Sequence, residues 1–261
     1  PGASAPPAGR RARGSSQRGS RPCSGSLCAR RASTRTPVVQ FFEALCKVSH
    51  DELQVLPPEG PRVFCLSKLV ECAHDNLGRI RLVWQRLWAV VSSHLVAAAC
   101  HPNTNVALYA VDSLRQLATK LLERCELANF AFQSDALRPF VSIMARSGGA
   151  DKVRELVVRC AAQAAAARGP ALHSGWSSVF MVFAAAASDP SASLVAPALD
   201  ATEDAIPMLF GAIGGDCFAD CINCLGHVVH NPRHEWHALR ALAALRLCGA
   251  RLAEAHAGQV E

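Results

Sequence analysis

From residue 38 onward, apolar stretches with helical periodicity alternate with short turns rich in Gly, Pro and Asn. Four turns lead into similar starts, at Asn103, Ala150, Ser191 and Arg233, where a polar stretch runs into a stripe of Val, Ala and Leu. The starts are 47, 41 and 42 residues apart, and another helical stretch precedes each. Helix pairs that repeat at this spacing are typical of HEAT and armadillo arrays. Because one pair cannot bury its own apolar face, we predict an all-α solenoid of stacked helix pairs.

The apolar residues within these stretches recur every three or four positions, which is the spacing of one buried helix face. Gly and Pro breakers separate about ten such helices. The heavy use of Ala and Leu also favours helix and argues against an all-β protein. An irregular all-α globule is the alternative to the solenoid. One stripe consists of Ile80, Trp84, Leu87, Val91 and Leu95.

The net charge of +6 comes from the first 36 residues, which contain eight Arg and no acidic side chain. The rest of the chain carries 19 basic and 21 acidic side chains, so it lacks the basic surplus of a nucleic-acid-binding domain. We interpret residues 1–36 as a disordered Arg/Ser/Pro-rich linker, with a transit peptide as the alternative. A helical-repeat domain is predicted over 37–252 and a tail over 253–261. Because the chain begins with Pro, we expect a fragment of a longer protein.

Cysteine usage points to an intracellular protein. Most of the twelve Cys lie within apolar helical patterns, as expected for reduced, packed thiols. The best candidate for a metal or redox site is Cys217-x₃-Cys221-x₂-Cys224, followed by His227 and His230. A structural zinc ion needs four ligands from turns or separate elements, whereas this segment is predicted to be one helix. We therefore interpret these cysteines as core residues and keep a zinc or redox protein as an alternative.

No pattern of residues predicts catalysis. The run Ser49-His50-Asp51 is not a triad, because neighbouring side chains point apart. We therefore predict no catalytic, cofactor-binding or metal-binding residue, and we do not expect the chain to be an enzyme. Arg79, Arg81 and Arg86 lie around two Trp, where they would meet a phosphate or an acidic partner, or simply form a solvated helix face.

The most specific pattern runs from Asn105 to Phe140, NVALYAVDSLRQLATKLLERCELANFAFQSDALRPF. It resembles the region that directly follows the catalytic exchange domain in the large, brefeldin A-inhibited guanine nucleotide exchange factors for Arf GTPases. Flanking segments extend the resemblance over about residues 38–250: FFEALCKVSHDEL (41–53), DNLGRIRLVWQRLW (75–88), VRELVVRCAAQ (153–163) and HSGWSSVFMVFAAAASD (173–189).

The resemblance implies a regulatory and membrane-recruitment solenoid. Members of the family activate Arf at the trans-Golgi network and endosomes by promoting release of GDP, and an upstream all-helical domain performs that catalysis. The implied partners are an Arf-family small GTPase, the Golgi or endosome membrane surface and the upstream exchange domain of the same protein. The implied location is cytoplasmic and peripheral on these membranes. A non-catalytic HEAT-repeat scaffold or adaptor of the Golgi or transport machinery is the alternative.

Exposed polar positions within the matched motifs are the candidate contacts with a partner. Each also has a structural interpretation: Asp112 and Arg115 suit a surface ion pair one turn apart, Asn129 suits a turn, and Arg138 suits a helix end before Pro139. The predicted partner-contact residues are Arg79, Arg81, Asp112, Arg115, Asn129 and Arg138.

Overall fold

The structure, a computed structural model, describes residues 37–55, 60, 62–126, 131–147, 150–210 and 215–257. These residues form ten α-helices and one 3-10 turn, and none of them forms a strand. The linker predicted for residues 1–36 lies outside the described residues, and the last helix extends into the stretch predicted as a tail. The helices are α1 (Pro37–Val55), α2 (Phe64–Asp75), α3 (Arg81–Ala99), α4 (Thr104–Leu122), α5 (Phe132–Arg146), α6 (Asp151–Arg168), α7 (Gly175–Ala187), α8 (Ala192–Leu209), α9 (Gly215–Val229) and α10 (Glu235–Ala257).

The helices form two stacked layers. Each odd-numbered helix packs against the even-numbered helix that follows it, which makes five pairs. Each odd-numbered helix also packs against the next odd-numbered helix, and the even-numbered helices do the same. This arrangement confirms the predicted all-α solenoid of helix pairs. No helix in the described part of the chain is both long and apolar enough to cross a bilayer.

Helix α4 shows how the sequence produces these elements. The side chain of Asn103 caps its first turn by accepting hydrogen bonds from the backbone N–H groups of Asn105, at 2.9 Å, and Val106, at 3.3 Å. Asn is favoured at this position because its oxygen satisfies N–H groups that have no partner within the helix. The predicted stripe, which includes Leu114 and Leu121, is then buried between the neighbouring helices.

One stripe residue is wrongly predicted. Ile80 does not belong to the buried stripe of α3: it is 72% exposed, because it occupies the N-cap position before the helix begins. Helix α5 continues through Pro139 to Arg146, so the interpretation that places Arg138 at a helix end is also wrong. A proline within a helix removes one backbone hydrogen bond, here the bond to the carbonyl of Asp135. The indole Nε1 of Trp88 donates to that carbonyl instead, at 2.9 Å, so the interior proline leaves no unsatisfied acceptor.

A buried histidine joins α1 to α3 and makes the stability of the fold dependent on pH. The Nε2 atom of His94 lies 2.9 Å from Oγ of Ser49, and both residues are buried. Burial, with a smaller contribution from the charge of His50, lowers the pKa of His94 below its ordinary value. As pH falls through about 6.5, the unfolded chain therefore takes up this proton more readily than the folded chain, and stability is lost.

We expect His94→Gln to reduce this loss. Unfolding in urea, measured from about pH 7.5 to about pH 5.5, should give a shallower fall in the free energy of unfolding for the variant than for the wild-type chain. Equal slopes in the two proteins would contradict the prediction. His50→Gln serves as the control, because it removes the smaller contribution and leaves the buried ring in place.

Candidate functional site

A groove runs between α3 and α5 in the odd-numbered layer. It consists of two adjoining cavities of about 220 and about 420 Å³, which share Gln85, Trp88 and Asp135 as lining residues. The first cavity lies near the N-terminal ends of both helices and the second extends toward their C-terminal ends. The two helices therefore run in the same direction along the groove. We call it the α3–α5 groove.

The floor of the α3–α5 groove is aromatic. The rings of Trp84 and Trp88 stack with their centroids 6.0 Å apart, and both residues are almost completely buried. The hydrogen bond from Trp88 to the carbonyl of Asp135 fixes the indole against α5. The floor is therefore held in place by the same contact that accommodates Pro139.

The described residues in the walls of the α3–α5 groove include four arginines and one acid. Arg81 and Arg124 line the first cavity, and Arg138 and Arg146 line the second. The guanidinium of Arg81 lies 6.0 Å from the ring centroid of Phe132, within range of a cation–π contact. Arg124 donates a hydrogen bond to the carbonyl of Leu77. Two of the predicted contact residues, Arg81 and Arg138, thus meet in one groove.

The other predicted contact residues lie elsewhere. Arg79 lies in the turn before α3 and donates to the side chain of Asn76. Asp112 and Arg115 form an ion pair on α4, with Arg115 Nη2 2.7 Å from Asp112 Oδ1. Asn129 lies outside the described residues. The structure thus divides the predicted contacts between at least two surfaces.

The carboxylate of Asp112 accepts from two partners on its own helix. Arg115 Nε donates to Oδ1 at 2.8 Å and Gln116 Nε2 donates to Oδ2 at 2.7 Å. Partial burial acts to raise the pKa of Asp112, but these hydrogen bonds and the charge of Arg115 outweigh it, so that the pKa is lowered. Asp112 is therefore ionised and paired at neutral pH.

Sequence reasoning did not identify Glu126 as a residue with a role, although it connects three segments. One oxygen accepts from the backbone N–H of Gln133 at 3.0 Å and from the hydroxyl of Ser174 at 2.6 Å. The other accepts from the backbone N–H of Ser174 at 2.9 Å. Gln133 in turn donates from Nε2 to the carbonyl of Ala171 and accepts from the N–H of His173. We call these residues the Glu126 network, which ties the starts of α5 and α7 together.

A buried ion pair links the opposite edge of the solenoid. Arg154, near the start of α6, donates to the carboxylate of Asp189 in the turn between α7 and α8. The Asp189 side chain is 5% exposed and that of Arg154 is 15% exposed. Asp189 also accepts from the backbone N–H of Ser191 at 2.9 Å, and its carbonyl accepts from Nδ2 of Asn231 at 2.8 Å. The turn that contains Asp189 therefore contacts the helix pair before it, through Arg154, and the helix pair after it, through Asn231.

Two of the three thiols in the Cys217-to-Cys224 segment lie in the core, whereas Cys217 is only partly buried. Cys221 and Cys224 are buried on α9, and burial raises the pKa of both thiols, that of Cys224 to about 11. A protonated thiol is a poor metal ligand and nucleophile. Within the described residues, no group of three or more His, Cys, Asp or Glu side chains is arranged to hold a metal ion. This geometry gives no support to the zinc or redox alternative.

Comparison with known proteins gives one consistent result. The family model described as "Mon2/Sec7/BIG1-like, HDS" matches residues 120–204, a range that includes the Glu126 network and the Arg154–Asp189 pair. The chain is 43% identical over 224 residues to brefeldin A-inhibited guanine nucleotide-exchange protein 3 of Arabidopsis thaliana, covering 85% of this chain and 13% of that protein. It is 42% identical over 214 residues to brefeldin A-inhibited guanine nucleotide-exchange protein 1 of Homo sapiens, covering 81% of this chain and 11% of that protein.

The chain therefore spans only about an eighth of the length of the curated relatives that it matches. No solved structure matches the chain. The resemblance predicted from the sequence is confirmed: the chain is similar, over most of its length, to one segment of the brefeldin A-inhibited guanine nucleotide-exchange proteins.

Proposed function

We propose that this chain is a regulatory and membrane-recruitment solenoid of a guanine nucleotide-exchange protein that acts on Arf GTPases. The observation that carries the proposal is the 42–44% identity to these exchange proteins over most of the chain. The fold supports it, because stacked helix pairs give the extended surfaces on which repeat proteins bind their partners. In this proposal, a separate upstream domain catalyses nucleotide exchange.

The proposed partners are an Arf-family GTPase, the surface of trans-Golgi network or endosomal membranes and the exchange domain of the same protein. The proposed location is the cytoplasmic face of these membranes, with peripheral attachment. Such a segment would work by holding the exchange domain close to membrane-bound Arf. Proximity of this kind raises the effective concentration of the GTPase at the exchange domain without any new catalytic group.

The test is binding of the full chain to purified Arf and to vesicles. We expect the chain to bind GTP-loaded Arf on anionic vesicles more tightly than GDP-loaded Arf, in a flotation assay. Arg79→Glu, at an exposed predicted contact, should weaken that binding several-fold, whereas the control Arg233→Glu makes the same charge change before α10 and should not. Absence of binding both to GTP-loaded Arf and to vesicles would contradict the proposal.

A further inference from the structure

We propose that the α3–α5 groove binds an acidic segment of a partner protein that carries bulky apolar side chains as anchors. The inference goes beyond the proposed function, because it requires neither an Arf GTPase nor a membrane. It is based on the charge, the floor and the length of the groove.

The charge of the α3–α5 groove departs from that of the chain around it. Beyond residue 36 the chain carries 19 basic and 21 acidic side chains, a small acidic excess. Among the described residues, however, the lining of the groove contains four arginines and a single acid, Asp135. All four basic residues are arginine, whose planar guanidinium pairs with carboxylates through two parallel hydrogen bonds. Charge complementarity therefore selects an acidic occupant.

Two of these arginines are available to a partner. Arg138 and Arg146 are exposed, and neither forms an ion pair with any residue that the structure describes. They lie eight positions apart on α5, which places them about 12 Å from each other along the helix. Carboxylates two turns apart on a bound helix would meet both guanidinium groups.

The floor of the groove explains why the occupant needs apolar anchors. Trp84 and Trp88 lie beneath the first cavity of about 220 Å³, and Phe132 forms part of its wall. Aromatic floors with arginines at the rim are typical of the central contact regions of protein interfaces. A purely acidic chain would leave this apolar cavity unfilled.

The length of the groove fits a short helix. From Arg81 to Val96 it follows α3 for sixteen residues, a rise of about 22 Å along the helix axis. An amphipathic helix with anchors at every third or fourth position is a common occupant of such grooves. We therefore specify the partner as an acidic amphipathic helix of about four turns.

The experiment measures binding of a fluorescent peptide to the full chain by anisotropy. The probe is a peptide of about 15 residues with Leu on one face and Glu and Asp on the other. One control peptide carries Lys in place of the acids, and a second carries Ala in place of Leu. We expect the probe to bind and both controls to bind at least about tenfold more weakly.

Variants locate the binding. The double variant Arg138→Gln/Arg146→Gln should weaken binding of the probe about tenfold. The matched control Arg159→Gln/Arg233→Gln removes the same charge from exposed positions outside the groove and should leave binding unchanged. Gln85→Glu, which places a carboxylate between the two cavities with almost no change in shape, should also weaken binding. Circular dichroism verifies that each variant is folded.

Three results would overturn the inference. The first is no binding of the probe to the wild-type chain, and the second is an equal loss in both double variants, which would indicate unspecific attraction between charges. The third is that binding of anionic vesicles, and not binding of the peptide, requires Arg138 and Arg146. That result would assign the groove to a lipid surface. Because the peptide assay contains neither Arf nor lipid, its failure is distinct from a failure of the proposed function.

Discussion

Asp189→Ala is expected to lower the free energy of unfolding by about 3–5 kcal/mol, because it removes the buried counterion of the largely buried Arg154 guanidinium. The remaining acid, Asp151, is exposed and lies 4.0 Å from Arg154 Nη1, too far for a close ion pair. The substitution also removes the acceptor for the N–H of Ser191 at the start of α8. Urea unfolding at neutral pH, followed by circular dichroism, measures the change. A loss below about 1 kcal/mol would contradict the prediction, since a surface ion pair contributes no more than that.

The matched control removes both charges together. Arg154→Met/Asp189→Ala leaves no unpaired charge in the interior, and the methionine retains most of the apolar volume of the arginine stem. We expect this double variant to be more stable than Asp189→Ala alone, although it has lost more atoms that form hydrogen bonds. If the double variant is the less stable of the two, the unpaired charge is not the cause of the loss.

Glu126→Ala is expected to destabilise the fold by about 2–4 kcal/mol, because it removes three charge-assisted hydrogen bonds from the starts of α5 and α7. A carboxylate at two helix N-termini also interacts favourably with both helix dipoles. Glu126→Gln should cost less than Glu126→Ala, because the amide keeps one of the two accepting oxygens.

The neighbouring Glu123 provides the control for this prediction. It lies in the same turn of chain, and within the described part of the chain its only ion pair is with Lys120 at the surface, at 3.1 Å. Glu123→Gln removes the same charge but no contact between repeats, so stability should change by less than about 0.5 kcal/mol. Similar losses for the two glutamates would show that charge at the end of α4, rather than the Glu126 network, determines stability.

The repeat architecture was predictable because it is encoded locally. The four predicted helix starts, at Asn103, Ala150, Ser191 and Arg233, each lie within two residues of the first residue of an even-numbered helix. Periodicity and helix breakers are properties of short stretches of sequence, so they can be recognised without knowledge of the fold. Ile80 was misassigned because the regular spacing of apolar residues begins one residue before the first residue of α3, so the pattern includes a residue outside the helix.

The candidate site was only partly predictable. Arg81 and Arg138 were chosen from sequence motifs, but Arg146 of α5 and Arg124, in the turn after α4, join them only through the packing of the helices. Glu126 was missed for the same reason, since its partner Ser174 is 48 positions away along the chain. Contacts between repeats depend on which turns the stacking brings together, and no local pattern specifies that.

The interior proline of α5 restricts how this sequence can diverge. While residue 139 is proline, the Asp135 carbonyl depends on the indole of Trp88, and exchanging that tryptophan for a phenylalanine would leave a partly buried acceptor without its protein donor. If residue 139 first changed to an ordinary residue, the helix would supply its own donor and the indole would become dispensable as a hydrogen-bond partner. The order of the two substitutions therefore matters: descendants can lose the proline first and the tryptophan second, but the reverse route passes through a damaged intermediate.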